Sequence, residues 1–71
     1  MDKKYLIKLG DRIANLRKNK GWTQAELAEK LNIQRSSLTR IELGNVNSSI
    51  NMLRKIAKAF NIKTSKLIDI E

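Results

Sequence analysis

The chain contains no cysteine, no histidine and no proline. Each absence removes a class of protein. Without thiols there is no disulfide framework, no thiolate nucleophile and no zinc knuckle, and without imidazole the usual general base and a common metal ligand are missing too. With only three glycines, scattered along the chain, nothing reads as a linker, a repeat or a low-complexity tract. No apolar run approaches the length of a membrane span, and the N-terminus lacks the apolar stretch of a signal peptide, so no membrane partner and a cytoplasmic location are expected. Seven scattered Asp and Glu offer no acid–base pair and no ligand cluster. Neither an enzyme nor a metal, cofactor or small-molecule substrate is expected.

What is present is short and basic. Seventy-one residues allow a single domain, spanning 1–71, whose folding buries only about 60% of the surface that the unfolded chain exposes. Fifteen Lys and Arg against seven Asp and Glu give a net charge of +8, and the first twenty residues hold seven of the positive charges against only Asp2 and Asp11. A polyanion is the natural partner of such a surface.

Apolar spacing predicts an all-α chain of five helices with short connections. Leu6, Leu9, Ile13 and Leu16 fall within one arc of a helical wheel, which predicts a first helix over about Lys3 to Asn19, stopped by Gly21. Gly10 lies inside it and weakens its first two turns, where fraying is expected. "TQAE" is a capping box, with Thr23 as N-cap and Glu26 three residues on, ahead of Leu27, Ala28 and Leu31. Asn32, tolerant of the left-handed conformation, turns the chain. A third helix starts at Gln34 or its neighbour, points Leu38 and Ile41 to one side, and ends at Gly44. Ser49 caps a fourth, with Ile50, Leu53, Ile56, Ala57 and Phe60 as its inward stripe and Asn61 at its close. Leu67 and Ile68, after a cap at Thr64, suffice for one or two turns of a fifth.

The third helix raises a question of composition. Ser36, Ser37 and Thr39 are poor helix formers, each costing up to roughly 0.5 kcal/mol against alanine. Ser36, Thr39 and Arg40 face away from Leu38 and Ile41, with Arg35 at the flank of the first turn. Two helices joined at Asn32, with small Ala28 where they approach, make a helix-turn-helix over about residues 23–43. The second helix of such a unit enters the major groove of double-stranded DNA, where short hydroxyl side chains allow a close approach and arginine can fork onto guanine O6 and N7. Solvation alone also accounts for a polar helix face, but the cap, the turn and the basic charge together favour DNA.

"LGDRIANLRKNKGWTQAELAEKLNIQRSSLTRIELG" and "INMLRKIAKAF" together resemble the lambda-repressor-like helix-turn-helix family of Xre, Cro and phage-repressor type, across nearly the whole chain. The resemblance implies a compact five-helix domain and a sequence-specific transcriptional regulator, such as a repressor, that binds a pseudo-palindromic operator as a homodimer. It implies Gln24 as a phosphate anchor and Arg35, Ser36, Thr39 and Arg40 as base readers. It also implies a structural ion pair between Arg17 and Glu42, which agrees with their places on the edge of the first helix's apolar stripe and one turn past Leu38. The short length and the "GNVNSSINML" loop look somewhat like restriction-modification controllers. Three positions depart from the family pattern: Asn32 stands where glycine is usual, "NVNSS" lacks a proline, and Lys63 replaces a capping Ser or Thr.

Several residues admit two readings. Ser37, Asn45 and Asn47, with Ser48, are candidate phosphate donors or plain turn and surface residues, and Lys18 and Lys20 are general electrostatic contributors. Leu43 either meets a thymine methyl or covers the following loop. Trp22 is expected to pack beside the second helix's cap rather than stack on a base. Met52, Ala59 and Ile68 either cover the core or form a two-fold dimer contact, and the contact is expected. With no second domain in the sequence, control is expected through concentration, dimerisation or a partner protein. The alternative to a DNA reader is a helix-turn-helix interaction module, such as an antitoxin, whose main role is binding another protein.

Overall fold

Three side-chain oxygens decide where three of the five helices among the described residues begin. In the computed structural model, which describes residues 2–70, the Asp2 carboxylate accepts from the Tyr5 backbone N–H at 2.8 Å and opens α1, Lys3–Asn19. Thr23 opens α2, Gln24–Leu31, with both halves of the capping box made: its hydroxyl accepts from the Glu26 N–H at 3.1 Å, and the Glu26 carboxylate accepts from the Thr23 N–H at 2.9 Å. Ser49 opens α4, Ile50–Ala59, by accepting from the Met52 N–H at 3.0 Å. Between them, Asn32 sits in the left-handed region at φ 57°, ψ 45°, as its place between two helices predicts, and α3 follows as Arg35–Glu42. The terminal Met1 and Glu71 of the expected 1–71 domain lie outside the described residues.

Two sequence expectations fail at helix starts. Thr64 is the first residue of α5, Thr64–Ile68, and not its cap; Lys63 holds the cap position and makes no side-chain capping bond. Five residues with an uncapped start cannot hold a helix by themselves. The far end of α5 is held instead by α1: Arg12 donates from Nε to the Leu67 carbonyl at 3.2 Å and from Nη2 to the Lys66 carbonyl at 3.0 Å, while the Tyr5 hydroxyl donates to the Ile68 carbonyl. Ile50 is the second failure. Its spacing puts it on the inward stripe, yet it is 66% exposed: it is the first residue of α4, next to the exposed Ser49 cap, and the buried stripe begins at Leu53.

Leu9 and Ile13 of α1, Leu27 and Leu31 of α2, Leu38 of α3, Leu53 and Ile56 of α4 and Leu67 of α5 meet in one core. Trp22 closes one side of it, its ring stacked on Phe60 at 5.5 Å with Lys30 Nζ 4.6 Å above, which fulfils its packing role.

Gly10 does not fray its helix. α1 is continuous, and Gly10 is buried against the end of α3, where an added Cβ would stand 2.3 Å from the Glu42 carbonyl oxygen and 2.7 Å from that of Ile41. Gly44 makes the reciprocal approach: at φ +75° it ends the α3 region, and a Cβ there would stand 2.8 Å from the Ile7 backbone. The two helices touch backbone to backbone, and Lys3 Nζ clips the contact by donating to the Gly44 carbonyl at 2.7 Å.

Two outcomes follow. Helix propensity alone makes Gly10→Ala stabilising by about 1 kcal/mol, whereas the Glu42 and Ile41 carbonyls make it destabilising by about 3 kcal/mol; urea unfolding of the two proteins reads the sign. The bonds from the Thr23 backbone and hydroxyl hold the Glu26 carboxyl below the usual glutamate value. Since the folded value lies below the unfolded one, this contribution is present above the unfolded value and lost as pH falls through the folded one. An NMR titration of the Glu26 side chain should show a lowered midpoint that returns towards the ordinary value in Thr23→Ala.

Candidate nucleic-acid interface

α3 is held from behind and left open in front. Leu38 is fully buried and Ile41 nearly so, while Arg35, Ser36, Ser37 and Arg40 are exposed. Among the described residues, no hydrogen bond or ion pair engages any of those four side chains. Their polar groups are therefore unengaged, and two of the poor helix formers in the middle of α3, Ser36 and Ser37, lie on its open side.

Behind them lies a polar relay. Arg17 and Glu42 form a forked pair, Nε to Oε2 at 2.8 Å and Nη2 to Oε1 at 3.1 Å, with side chains only 10% and 5% exposed. The third arm of the guanidinium donates from Nη1 to the Trp22 carbonyl at 2.8 Å. Glu42 Oε1 also accepts from Gln24 Nε2 at 2.9 Å, and Gln24 Oε1 in turn lies 3.0 Å from the Thr39 hydroxyl. No buried side-chain nitrogen or oxygen among the described residues is left without a partner. The pair ties α1 to α3, and Gln24 ties the start of α2 to both.

The sequence-predicted residues fall at several distances from the open face. Gln24 keeps one amide N–H beyond the one spent on Glu42, as a phosphate anchor requires. Thr39, placed on the outer face by helical period, is half-buried, and its hydroxyl directs its proton to Gln24 Oε1 or to the Arg35 carbonyl. Ser37, Arg40 and Asn47 share a notch with Ser48, Ser49 and Met52, between α3 and the first turn of α4. Asn45 is exposed and its Oδ1 accepts from Lys3 Nζ, so its amide N–H groups remain available. Lys18 is exposed near the end of α1. Met52, Ala59 and Ile68 are half-buried and packed against the core, while Leu43 at 59% and Ile50 at 66% expose more apolar surface. Lys3 was missed; its partners lie 41 and 42 residues away, and no local pattern announces them.

Charge is distributed unevenly. Residues 23–42 carry three acids and three bases, residues 1–22 two acids and seven bases, and residues 43–71 two acids and five bases. The excess positive charge therefore lies in the segments before and after the helix-turn-helix in the sequence, which is itself neutral.

Comparison with known proteins agrees with this geometry. A family model described as helix-turn-helix matches residues 13–67. The chain is 40% identical over 63 residues to the immunity repressor protein of Bacillus phage phi105, covering 89% of this chain and 44% of that protein. It spans about half the length of that repressor and of several other curated relatives it matches. Among solved structures it is similar to the restriction-modification controller protein C.AhdI from Aeromonas hydrophila, with a TM-score of 0.83, 35% identity and coverage of 87% of this chain and 94% of that one. It is also similar to SinR, the master regulator for biofilm formation solved in complex with DNA, with a TM-score of 0.79, 37% identity and coverage of 86% and 98%.

Removing one member of a buried pair strands the other. Glu42→Ala should cost about 3 to 5 kcal/mol, a large share of the stability of so small a domain, and lower the melting temperature steeply; a melting curve superimposable on the parent's would show that the pair contributes nothing.

Proposed function

The chain belongs to the helix-turn-helix family, and on that premise we propose that it is a cytoplasmic, non-enzymatic, sequence-specific regulator of transcription that lays α3 in the major groove of a pseudo-palindromic operator and binds it as a homodimer. The observation that carries this reading is the face of α3: Arg35, Ser36, Ser37 and Arg40 are exposed together, and the opposite face is locked by Leu38 and Ile41. Arg35 and Arg40 offer the forked donors that match guanine O6 and N7, and Ser36 and Thr39 reach the neighbouring base edges. Gln24, Ser37, Asn45, Asn47 and Lys18 lie where backbone phosphates would flank the helix and fix its register. Met52, Ala59 and Ile68 supply the two-fold contact, which places the two reading helices about 34 Å apart, one turn of the duplex. The names of the relatives, a phage immunity repressor and a regulator solved with DNA, support the same activity.

A protein-interaction module such as an antitoxin is the competing reading. Two unpaired arginines on the outer face of α3 count against it, because a helix freed from reading DNA has no use for forked donors there.

The test is Arg40→Ala, titrated against a duplex enriched from random DNA by the parent protein. Affinity should fall about tenfold or more, in line with one lost bidentate contact, with the melting temperature unchanged. The parent's affinity should also fall with salt, by about 0.9 in log–log slope for each phosphate neutralised. Binding that ignores both the substitution and the salt would overturn the proposal.

A further inference from the structure

Resting on that DNA-reading proposal, we infer that Thr39 reads a base as a hydrogen-bond acceptor and not as a donor, so that it selects the amino group of adenine or cytosine. The reasoning starts at the buried pair. Glu42 is a carboxylate that only accepts, and its Oε1, bonded to Arg17 Nη2, also takes a hydrogen bond from Gln24 Nε2 at 2.9 Å. That contact fixes which end of the Gln24 amide faces which neighbour. A flipped amide would press its carbonyl oxygen against the carboxylate. With the nitrogen turned to Glu42, Oε1 must face Thr39, whose hydroxyl is 3.0 Å away.

A threonine hydroxyl has one proton. Here two acceptors compete for it, Gln24 Oε1 at 3.0 Å and the carbonyl of Arg35, one helical turn back, at 3.1 Å. Whichever receives it, the proton is spent on a partner within the chain, and what the oxygen has left to offer a base is lone pairs. In the major groove the exposed donors are the N6 amino group of adenine and the N4 amino group of cytosine; guanine O6, thymine O4 and the purine N7 atoms are acceptors. An acceptor-only hydroxyl is satisfied by the first set and repelled by the second.

Its neighbours on α3 differ. Ser36 has no partner among the described residues and is free to donate or accept, while Arg35 and Arg40 can only donate. The reading face thus alternates donor, adaptable, acceptor and donor along residues 35, 36, 39 and 40. Glu42 and Gln24 are positioning residues for the third of these: they set the polarity of a group that itself would touch the base.

The experiment uses the parent, Thr39→Val and Thr39→Ser, each checked for a parent-like melting curve. Duplexes are enriched from random DNA by the parent and by Thr39→Val, and the position whose base preference disappears in the valine variant is taken as the Thr39 contact. At that position the amino group is removed by placing purine for adenine or 2-pyrimidinone for cytosine, and in a parallel set the purine of the pair is replaced by its 7-deaza form, which lacks the N7 acceptor. Loss of the amino group should weaken the parent and Thr39→Ser about fivefold, the size of one neutral hydrogen bond, and Thr39→Val by less than about twofold; the 7-deaza change should affect all three alike. Coupling of Thr39 to N7 instead of the amino group, or an unchanged preference at every position in Thr39→Val, would overturn the acceptor assignment while leaving DNA reading intact. Failure of the parent to enrich any sequence would take down both.

Discussion

The forked ion pair between Arg17 and Glu42 is the interaction on which the rest of the structure depends. Two charges withdrawn from water are costly unless every remaining lone pair and proton finds a partner. Here they do: the guanidinium spends one arm on the Trp22 carbonyl, and the carboxylate takes a further bond from Gln24. The pair therefore fastens four segments, namely α1, the connection into α2, the first residue of α2 and the last residue of α3. An apolar contact of similar volume would hold these segments together, but it would not say which way Gln24 turns.

Around that pair the α1 and α3 backbones come close enough that only glycine fits at Gly10 and Gly44. Close approach matters because α3 is just eight residues long. So short a helix owes its shape to what it packs on, and Leu38, Ile41, the Gly10 contact and the Glu42 bonds all act on one side of it. The other side is left free for the residues that the proposed function uses. A polar outer face and a tightly held inner face are two consequences of the same arrangement.

Sequence alone made visible whatever is local. The capping box at Thr23, the Asn32 reversal and the Ser49 cap each involve side chains within a few residues of the backbone they serve, so pattern and structure coincide there. Helical period placed Leu38 and Ile41 on one face of α3 and Ser36, Thr39 and Arg40 on the other, with Arg35 at the flank; Ser36, Arg40 and Arg35 are exposed, but Thr39 is half-buried because Gln24 reaches it from α2. Non-local features were harder. Gly10 reads as a weakness in its own helix and becomes intelligible only beside Glu42, thirty-two positions on. Ile50 fits the stripe of α4 by period, yet period does not reveal where along the helix burial begins. The Lys63 start of α5 depends on Arg12 and Tyr5, more than fifty residues away, for its closure at the far end. The bonds joining Gln24 to Glu42 and Thr39 cross the turn of the motif, and the amide orientation they impose has no trace in the order of residues.

If the buried pair serves to orient the reading face as well as to stabilise the fold, the two roles should come apart when both charges are replaced by apolar side chains of similar size. The most direct measurement is therefore Arg17→Met combined with Glu42→Leu, followed by thermal melting and by titration with the duplex that the parent selects. Cooperative melting well above that of Glu42→Ala, since no buried charge is left stranded, together with several-fold weaker binding as Gln24 and Thr39 lose their anchor, is the expected result. A double variant that folds as well as the parent and binds the same duplex with the same affinity would contradict it.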